Sequence, residues 1–491
     1  MYRADENVFY LCKLLTAWIY YNIKNIKIKI KSIILLNVYY GKRGLIFKFF
    51  FGKVNFMKHY CIITIGCQMN KSDSERISGY LEEVGYKEEK ERNNADLIIL
   101  NTCGVRQSAE DRAYGLISRI KKENPNAKIV LTGCLSERND VKRRLKEKVD
   151  IWLPIIKLPE LSVKLGIKGK KFDEDYLKIL PKYNNQISAF VPIGNGCDNF
   201  CTYCVVPNAR GREVYRQSDE IIAEVKNLVK KGFKEIILIA QNVNSYKTHN
   251  TQHTTHNKEL KDIYFVDLLK MVNDMPGDFW IRFATSHPKD MSDDLIKAIL
   301  DCGNVCEHVH LPAQSGDNEI LKAMNRNYSR DQYLALIKKI RKKIPMASIT
   351  TDIIVGFPGE TKEQFNNTKK LFKEAKYDMA YIARYSPRPG TAANELVDDV
   401  SQEEKKARED ELMKILRITA LKNNGKYIGK IVDMLVEGKN KKGELYGKTV
   451  TNKVVKVKSR KLKVERDRIG EFVKVKILNV RDFGLEGVIL K

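Results

Sequence analysis

Acidic residues are in short supply in this chain of 491 residues: 61 aspartates and glutamates stand against 88 lysines and arginines, a formal net charge of +27. A field of that sign attracts polyanions, so RNA or DNA is the favoured partner, although charge alone names no activity. Cysteine is scarce as well. Ten in a chain of this size are too few for a disulfide scaffold, and their settings beside Gly and Asn suit metal ligation in a reducing compartment. A cytoplasmic location is therefore expected. Uninterrupted apolar runs long enough to span a bilayer are missing too. The richest, LLTAWIYYNIKNIKIKIKSIILLNVYY, is broken by lysines at positions 24, 27, 29 and 31, so no membrane association is expected. It lies in residues 1–56, a basic, apolar and nearly acid-free leader whose place in the protein is doubtful, because Met57 opens a new style of sequence. At this length a single core is excluded and two to four domains are expected.

From Met57, apolar runs alternate with helical periodicity: YCIITIG, KSDSERISGYLEEVG, ADLIILNTC, DRAYGLISRIKKENP, KIVLTGC. Strand followed by helix, repeated, predicts a parallel sheet covered by helices over residues 57–172. Ligands of such sheets sit at the carboxyl ends of the strands, and Cys67, Cys103 and Cys134 fall at or just beyond three of those ends. A basic linker follows. Over residues 183–424 the runs FVPIGNG, EIILIAQNVNSY, FWIRFAT, VCEHVHLPAQ, ASITTDIIVGFPG and YDMAYIARYSPRPG alternate with helices, which predicts a complete or partial (β/α) barrel with its site at the C-terminal mouth. The insertion KTHNTQHTTHNKELKD, with His249, His253 and His256, reads as a solvated low-complexity loop. Residues 425–491 carry short Val/Ile strands with many lysines, a small β-barrel suited to RNA.

The stretch GNGCDNFCTYCVVPNARGRE places Cys197, Cys201 and Cys204 at CxxxCxxC spacing on a loop after a strand. Zinc takes four ligands and its paired knuckles use a different spacing. Three thiolates on one short loop suit three irons of a 4Fe-4S cluster, with the fourth iron left open. GFPGET, residues 356–361, lacks the Gly-Lys-Ser/Thr ending of a phosphate loop and suits a tight turn at the barrel mouth.

On the CxxxCxxC motif and the units after it, residues 188–420 resemble the radical S-adenosylmethionine (SAM) superfamily. With three strand-end cysteines before it and a basic β module behind it, the chain from 57 to 491 is similar to the methylthiotransferase family within that superfamily. The resemblance implies three domains: an N-terminal methylthiotransferase domain, a radical SAM core and a TRAM-like RNA-binding barrel. It implies two 4Fe-4S clusters, one on Cys67, Cys103 and Cys134, where sulfur is held, and one on Cys197, Cys201 and Cys204, where SAM is chelated and cleaved to a 5′-deoxyadenosyl radical. Two SAM molecules would be consumed per product. A carbon-hydrogen bond on an aromatic ring requires a radical, so no acid-base dyad is expected. AQNVNSY, ATSHPKDMSDDLI, HLPAQSGDNEILKAMNRNY and YSPRPGT resemble the branch that acts on N6-(dimethylallyl)adenosine beside the tRNA anticodon. Branches acting on threonylcarbamoyladenosine or on a ribosomal protein aspartate stay open, as does a non-catalytic metal-bearing RNA-binding protein. An electron-donor protein is an implied partner; the sulfur donor is not indicated.

Around the mouth, Gln241, Asn242, Gln314, Ser315 and Asp352 lie near predicted strand ends as candidates for SAM or adenine contacts, and Arg210, Arg212 and Arg388 as candidates for phosphate contacts. His308 and His310 read as satisfied barrel residues. Cys61, Cys302 and Cys306 read as packing residues, and Cys12 belongs to the leader.

Overall fold

The structure is a computed structural model, and it describes residues 33–41, 44–52, 58–167, 175–249, 262–458 and 468–490. Two compact units divide the chain at Lys58. Within the first unit, β1 (Ile33–Gly41) and β2 (Gly44–Gly52) pair antiparallel. Cys12, His253 and His256 lie outside the described residues.

The second unit begins with a sheet of β3 (Lys58–Thr64), β4 (Tyr86–Glu88), β5 (Leu97–Thr102), β6 (Lys128–Gly133) and β7 (Ile151–Trp152) in the order 4-3-5-6-7. Strands β3, β5, β6 and β7 run parallel, as the alternation predicts. Helices α1 (Gln68–Glu83), α2 (Gln107–Glu123) and α3 (Asn139–Leu145) make the crossovers. Every residue of β5 is buried, which is why LIILNT reads as a continuous run: both faces of a central parallel strand meet core. Two apolar clusters follow, one around Ile98, Leu100 and Ile117 and one around Tyr60, Tyr80 and Ile99.

Six further parallel strands form the central body: β8 (Ser188–Pro192), β11 (Glu235–Ile239) and β14 (Trp280–Ala284) in one sheet, and β15 (His308–His310), β16 (Ser348–Val355) and β17 (Met379–Arg384) in another. A bridge from Ile281 to Val305 joins the two, so the strands follow one another in chain order and the expected barrel is a partial one. Between them the pairs β9 (Gly194–Asn195) with β10 (Val214–Tyr215), and β12 (Lys247–His249) with β13 (Asp262–Tyr264), form small antiparallel ladders. The second closes the base of the predicted insertion, where His249 is exposed and pairs with Asp262. The helices are α4 (Val206–Arg210), α5 (Ser218–Lys230), α6 (Phe265–Asn273), α7 (Asp293–Asp301), α8 (Asn318–Ala323), α9 (Arg330–Lys343), α10 (Lys362–Ala375) and α11 (Gln402–Gly425). Ser292, Ser329, Thr361 and Ser401 cap four of them with side-chain oxygens, the expected residues at helix starts.

Strands β18 (Ile431–Lys439), β19 (Leu445–Thr449), β20 (Val454–Val457), β21 (Phe472–Arg481) and β22 (Gly484–Ile489) close into a barrel in the order 18-19-20-22-21. It packs against the strand starts of the central body. Arg282 reaches the carbonyls of Thr449 and Val450, Trp280 packs on Phe472, and Lys453 pairs with Asp378 just ahead of β17. The small barrel therefore sits at the end opposite the mouth. Lys453, one of the lysines of the barrel expected to suit RNA, is instead buried in that contact.

A candidate two-cluster site at the barrel mouth

Three loops of the N-terminal sheet carry the first cysteine set. Cys67 is the N-cap of α1, Cys103 follows β5 and Cys134 follows β6. Register brings them together: β5 and β6 pair through Thr102 and Gly133, and the Cys134 amide donates to the Thr102 carbonyl at 2.8 Å. Gly133 is required there. Its φ of +81° favours glycine, and a Cβ would stand 2.3 Å from the Thr102 oxygen. Gly104 permits the same closeness one loop on, since its Cβ would lie 3.2 Å from the Cβ of Cys134.

Asn70, which sequence reasoning missed, ties the first two loops. Fully buried, it donates to Asn101 Oδ1 at 2.9 Å and to the Thr102 carbonyl at 3.0 Å, and its Oδ1 accepts from the Cys67 thiol at 3.2 Å. Asn101 returns a bond to the Asn70 carbonyl at 2.8 Å. The only sequence signal was a pair of asparagines near cysteines, at NTC and CQMN.

The second set lies on the loop between β9 and α4. Asn199 Nδ2 donates to Cys197 Sγ at 3.3 Å and Arg326 Nη1 points at Cys201 Sγ from 3.6 Å. Asn325 Nδ2 donates to the carbonyls of Asn199 and Phe200, and Thr202 Oγ1 donates to the Ala323 carbonyl, so the stretch after β15 holds the loop in place. Phe200 has a φ of +47°, a strained setting for a bulky residue. Arg326 and Asn325 lie in the quoted stretch HLPAQSGDNEILKAMNRNY, yet their roles had no signal beyond residue type.

Burial pushes the Cys103 thiol up to about 11, with the neighbouring Cys134 adding to it, and pushes Cys204 up to about 12, with Cys201, Cys197 and Cys134 adding. Arg210, after Cys204, pairs with Asp73, after Cys67, and Arg388 bonds to Gln107, Glu110 and the Val105 carbonyl, after Cys103, so the segments that carry the two sets are tied together.

These residues fit iron-sulfur clusters. All six thiols are free, none is in a disulfide, and Asn199, Arg326 and the Val105 amide offer N–H donors to sulfur. Such donors stabilise the negative charge of a ligated cluster. Among the described residues no three His, Cys, Asp or Glu side chains converge tightly enough for one metal ion. Thiolates that each bind a separate iron are spread more widely than ligands of a single zinc.

The mouth candidates divide. Asn242 uses its amide internally, Nδ2 donating to Asp290 and Oδ1 accepting the His287 amide, and Ser315 accepts from the Asp317 amide. Gln241 Oε1 is buried with no hydrogen-bond partner among the described residues, which suits a ligand. Gln314 has a φ of +67° and Asp352 faces His310 at 3.4 Å. Of the arginines expected to meet phosphate, Arg210 and Arg388 are buried in ion pairs with Asp73 and Glu110, whereas Arg212 is exposed beside Asp198. His308 and His310 share Thr350 Oγ1, and Cys61, Cys302 and Cys306 are buried in packing.

Comparison with known proteins agrees with this layout. Residues 191–372 match the radical SAM superfamily, 59–154 the uncharacterized protein family UPF0004, and 425–490 the TRAM domain. The chain is 44% identical over 454 residues to the tRNA-2-methylthio-N(6)-dimethylallyladenosine synthase of Clostridium botulinum (strain Hall), covering 88% of this chain and 97% of that one. The enzyme of the same name from Carboxydothermus hydrogenoformans is 41% identical over 456 residues, covering 88% and 99%. Among solved structures, the radical SAM methyltransferase TsrM from Kitasatospora setae, with tryptophan and a SAM analogue bound, superposes with a TM-score of 0.50 at 13% identity, covering 69% of this chain and 75% of that one. That likeness shows the fold alone.

Proposed function

The chain belongs to the tRNA-2-methylthio-N(6)-dimethylallyladenosine synthase family of radical SAM methylthiotransferases, and from that membership we propose how its own residues divide the work. It is an enzyme that acts on tRNA, and its radical SAM domain implies a 4Fe-4S cluster and SAM. Our reading is that Cys197, Cys201 and Cys204 hold that cluster and that Cys67, Cys103 and Cys134 hold a second one. The adenosine treated is the dimethylallyl-modified one beside the anticodon. When bound, the clusters and SAM would hold a sulfur, supply its methyl group and generate the radical that removes the ring hydrogen, so that a carbon–sulfur bond takes the place of the carbon–hydrogen bond.

The observation that carries this reading is the buried ion pair of Arg210, six residues after Cys204, with Asp73, six residues after Cys67, which ties the two cysteine-bearing segments together, because sulfur held on one must reach a carbon activated at the other. The protein's own groups serve that transfer. Asn70 and Asn101 fix the Cys67 and Cys103 loops, Arg326 and Asn325 fix the CxxxCxxC loop, and Gln241 and Gln314 beyond strand ends, with Asp352 inside β16 rather than at its end as expected, offer polar atoms for SAM or the adenine. Single-stranded RNA presents a base that can leave its stack and enter the mouth, with basic residues on the backbone. An electron-donor protein must reach the radical SAM cluster, and the location consistent with tRNA chemistry is the cytoplasm; among the described residues no helix is long and apolar enough to cross a membrane.

The test is mass spectrometry of tRNA nucleosides from a host lacking its own methylthiolating enzyme. The intact gene is expected to convert N6-(dimethylallyl)adenosine to its 2-methylthio derivative, and Cys197→Ala to leave it unconverted. An iron-loaded protein that converts threonylcarbamoyladenosine instead would overturn the assignment.

A further inference from the structure

Two arginines leave the central body at different points, and both end buried inside the N-terminal domain. Arg210 closes α4, just downstream of Cys204. Its Nη2 pairs with Asp73 at 2.5 Å on α1, just downstream of Cys67, and its Nη1 donates to Asn195 Oδ1 at 2.9 Å. Arg388 lies in the loop after β17. Its Nη1 donates to Gln107 Oε1 at 2.8 Å and Glu110 Oε2 at 3.2 Å, and its Nη2 to the Val105 carbonyl at 3.2 Å, on the loop after Cys103. Arg210 and Arg388 are 3% and 5% exposed, which rules out a contact with solvent-borne phosphate.

Arginines that merely joined two domains could grip anywhere on the interface. These two grip the backbone segments that carry Cys67 and Cys103, and one of them starts from the segment that carries Cys204. A buried, multiply hydrogen-bonded guanidinium is directional, so each clamp fixes orientation as well as distance.

We infer that Arg210 and Arg388 are positioning residues that hold the two cysteine sets at one separation, and that coupling of SAM cleavage to sulfur insertion depends on that hold. The inference rests on the functional reading above. Displacing reacting groups by about 1 Å costs on the order of a hundredfold in rate, so a loosened clamp lets SAM be cleaved without product.

Arg388 gives the cleaner test. Glu110 keeps Arg138 as a partner at 2.6 Å when Arg388 is removed, whereas removing Arg210 leaves buried Asp73 without its cation. The variants are Arg388→Ala and Arg388→Lys. In metal-free protein, a short bis-maleimide is used to link the cysteines of the two sets, and the links are mapped by mass spectrometry. In reconstituted protein, iron per chain and the ratio of 5′-deoxyadenosine to methylthiolated product are measured.

For Arg388→Ala we expect unchanged iron, a several-fold lower yield of links between the sets, and a ratio raised by about tenfold or more. Arg388→Lys is expected to recover part of both. Arg388→Ala with wild-type links and a wild-type ratio overturns the inference, and so does product lost in step with iron, which would make the role one of folding. If the wild-type protein makes no methylthiolated tRNA, the functional reading fails, and the link yields alone still decide whether Arg388 sets the separation.

Discussion

Asn70 is fully buried, and its carboxamide serves two cysteine loops at once through Asn101, the Thr102 carbonyl and the Cys67 thiol. Removing it by Asn70→Ala leaves Asn101 Oδ1 and the Thr102 carbonyl buried without that donor, which is expected to cost about 1–3 kcal/mol. Urea unfolding of the metal-free protein measures this, and an unchanged midpoint would show that the asparagine pair is dispensable. His287 sets a pH dependence. Burial, with Arg326 and Lys289 adding, lowers its pKa from 6.5 to about 2, so the folded state holds it neutral while the unfolded chain binds a proton below 6.5. The folded pKa is depressed, so this stability is fully present above 6.5 and is lost progressively as pH falls from there toward 2. The melting temperature of metal-free protein should fall between pH 7 and 5, and His287→Gln should flatten that slope; equal slopes would contradict the assignment. Neither residue stood out in the sequence, because a buried amide and a neutral imidazole are defined by neighbours far along the chain.

Elements were legible where one physical rule governs them. The alternation of apolar runs and helical periods predicts the parallel sheet, the six central strands and the closed terminal barrel, and the three strand-end cysteines follow from the same pattern. What could not be read was which charges turn inward. Arg210 meets Asp73 137 positions away and Arg388 meets Glu110 278 positions away, so no local signal separates them from the exposed Arg212. The same holds on β20 and the turn before it. Lys453 is buried against Asp378, whereas Lys456 on the strand is exposed. Lys453→Ala should therefore destabilise the protein by about 3–5 kcal/mol, the range for breaking a buried pair. Lys456→Ala should change stability by less than about 0.5 kcal/mol and, if it meets a phosphate, reduce the slope of log binding constant against log salt by about one. Filter binding of tRNA across a salt series, beside thermal melts, distinguishes them; a reversed pattern would contradict the placement of the two lysines.

At the scale of the molecule, the cysteine mouth and the small barrel occupy opposite ends of the central strands. The eight residues of β16, at about 3.3 Å each, span roughly 26 Å, a distance that an RNA must bridge along the flank to touch both. The net charge of +27 attracts a polyanion of that kind from any direction. Arg210 and Arg388 tie the N-terminal domain to the mouth side of the central body, which is where the proposed function needs sulfur and radical chemistry to meet. The most direct test is a reaction of reconstituted protein with SAM and an anticodon stem-loop carrying N6-(dimethylallyl)adenosine, comparing wild type with Cys134→Ala by mass spectrometry. The account predicts that Cys134→Ala still releases 5′-deoxyadenosine and forms no methylthiolated RNA. Methylthiolated RNA at the wild-type level from Cys134→Ala would contradict it.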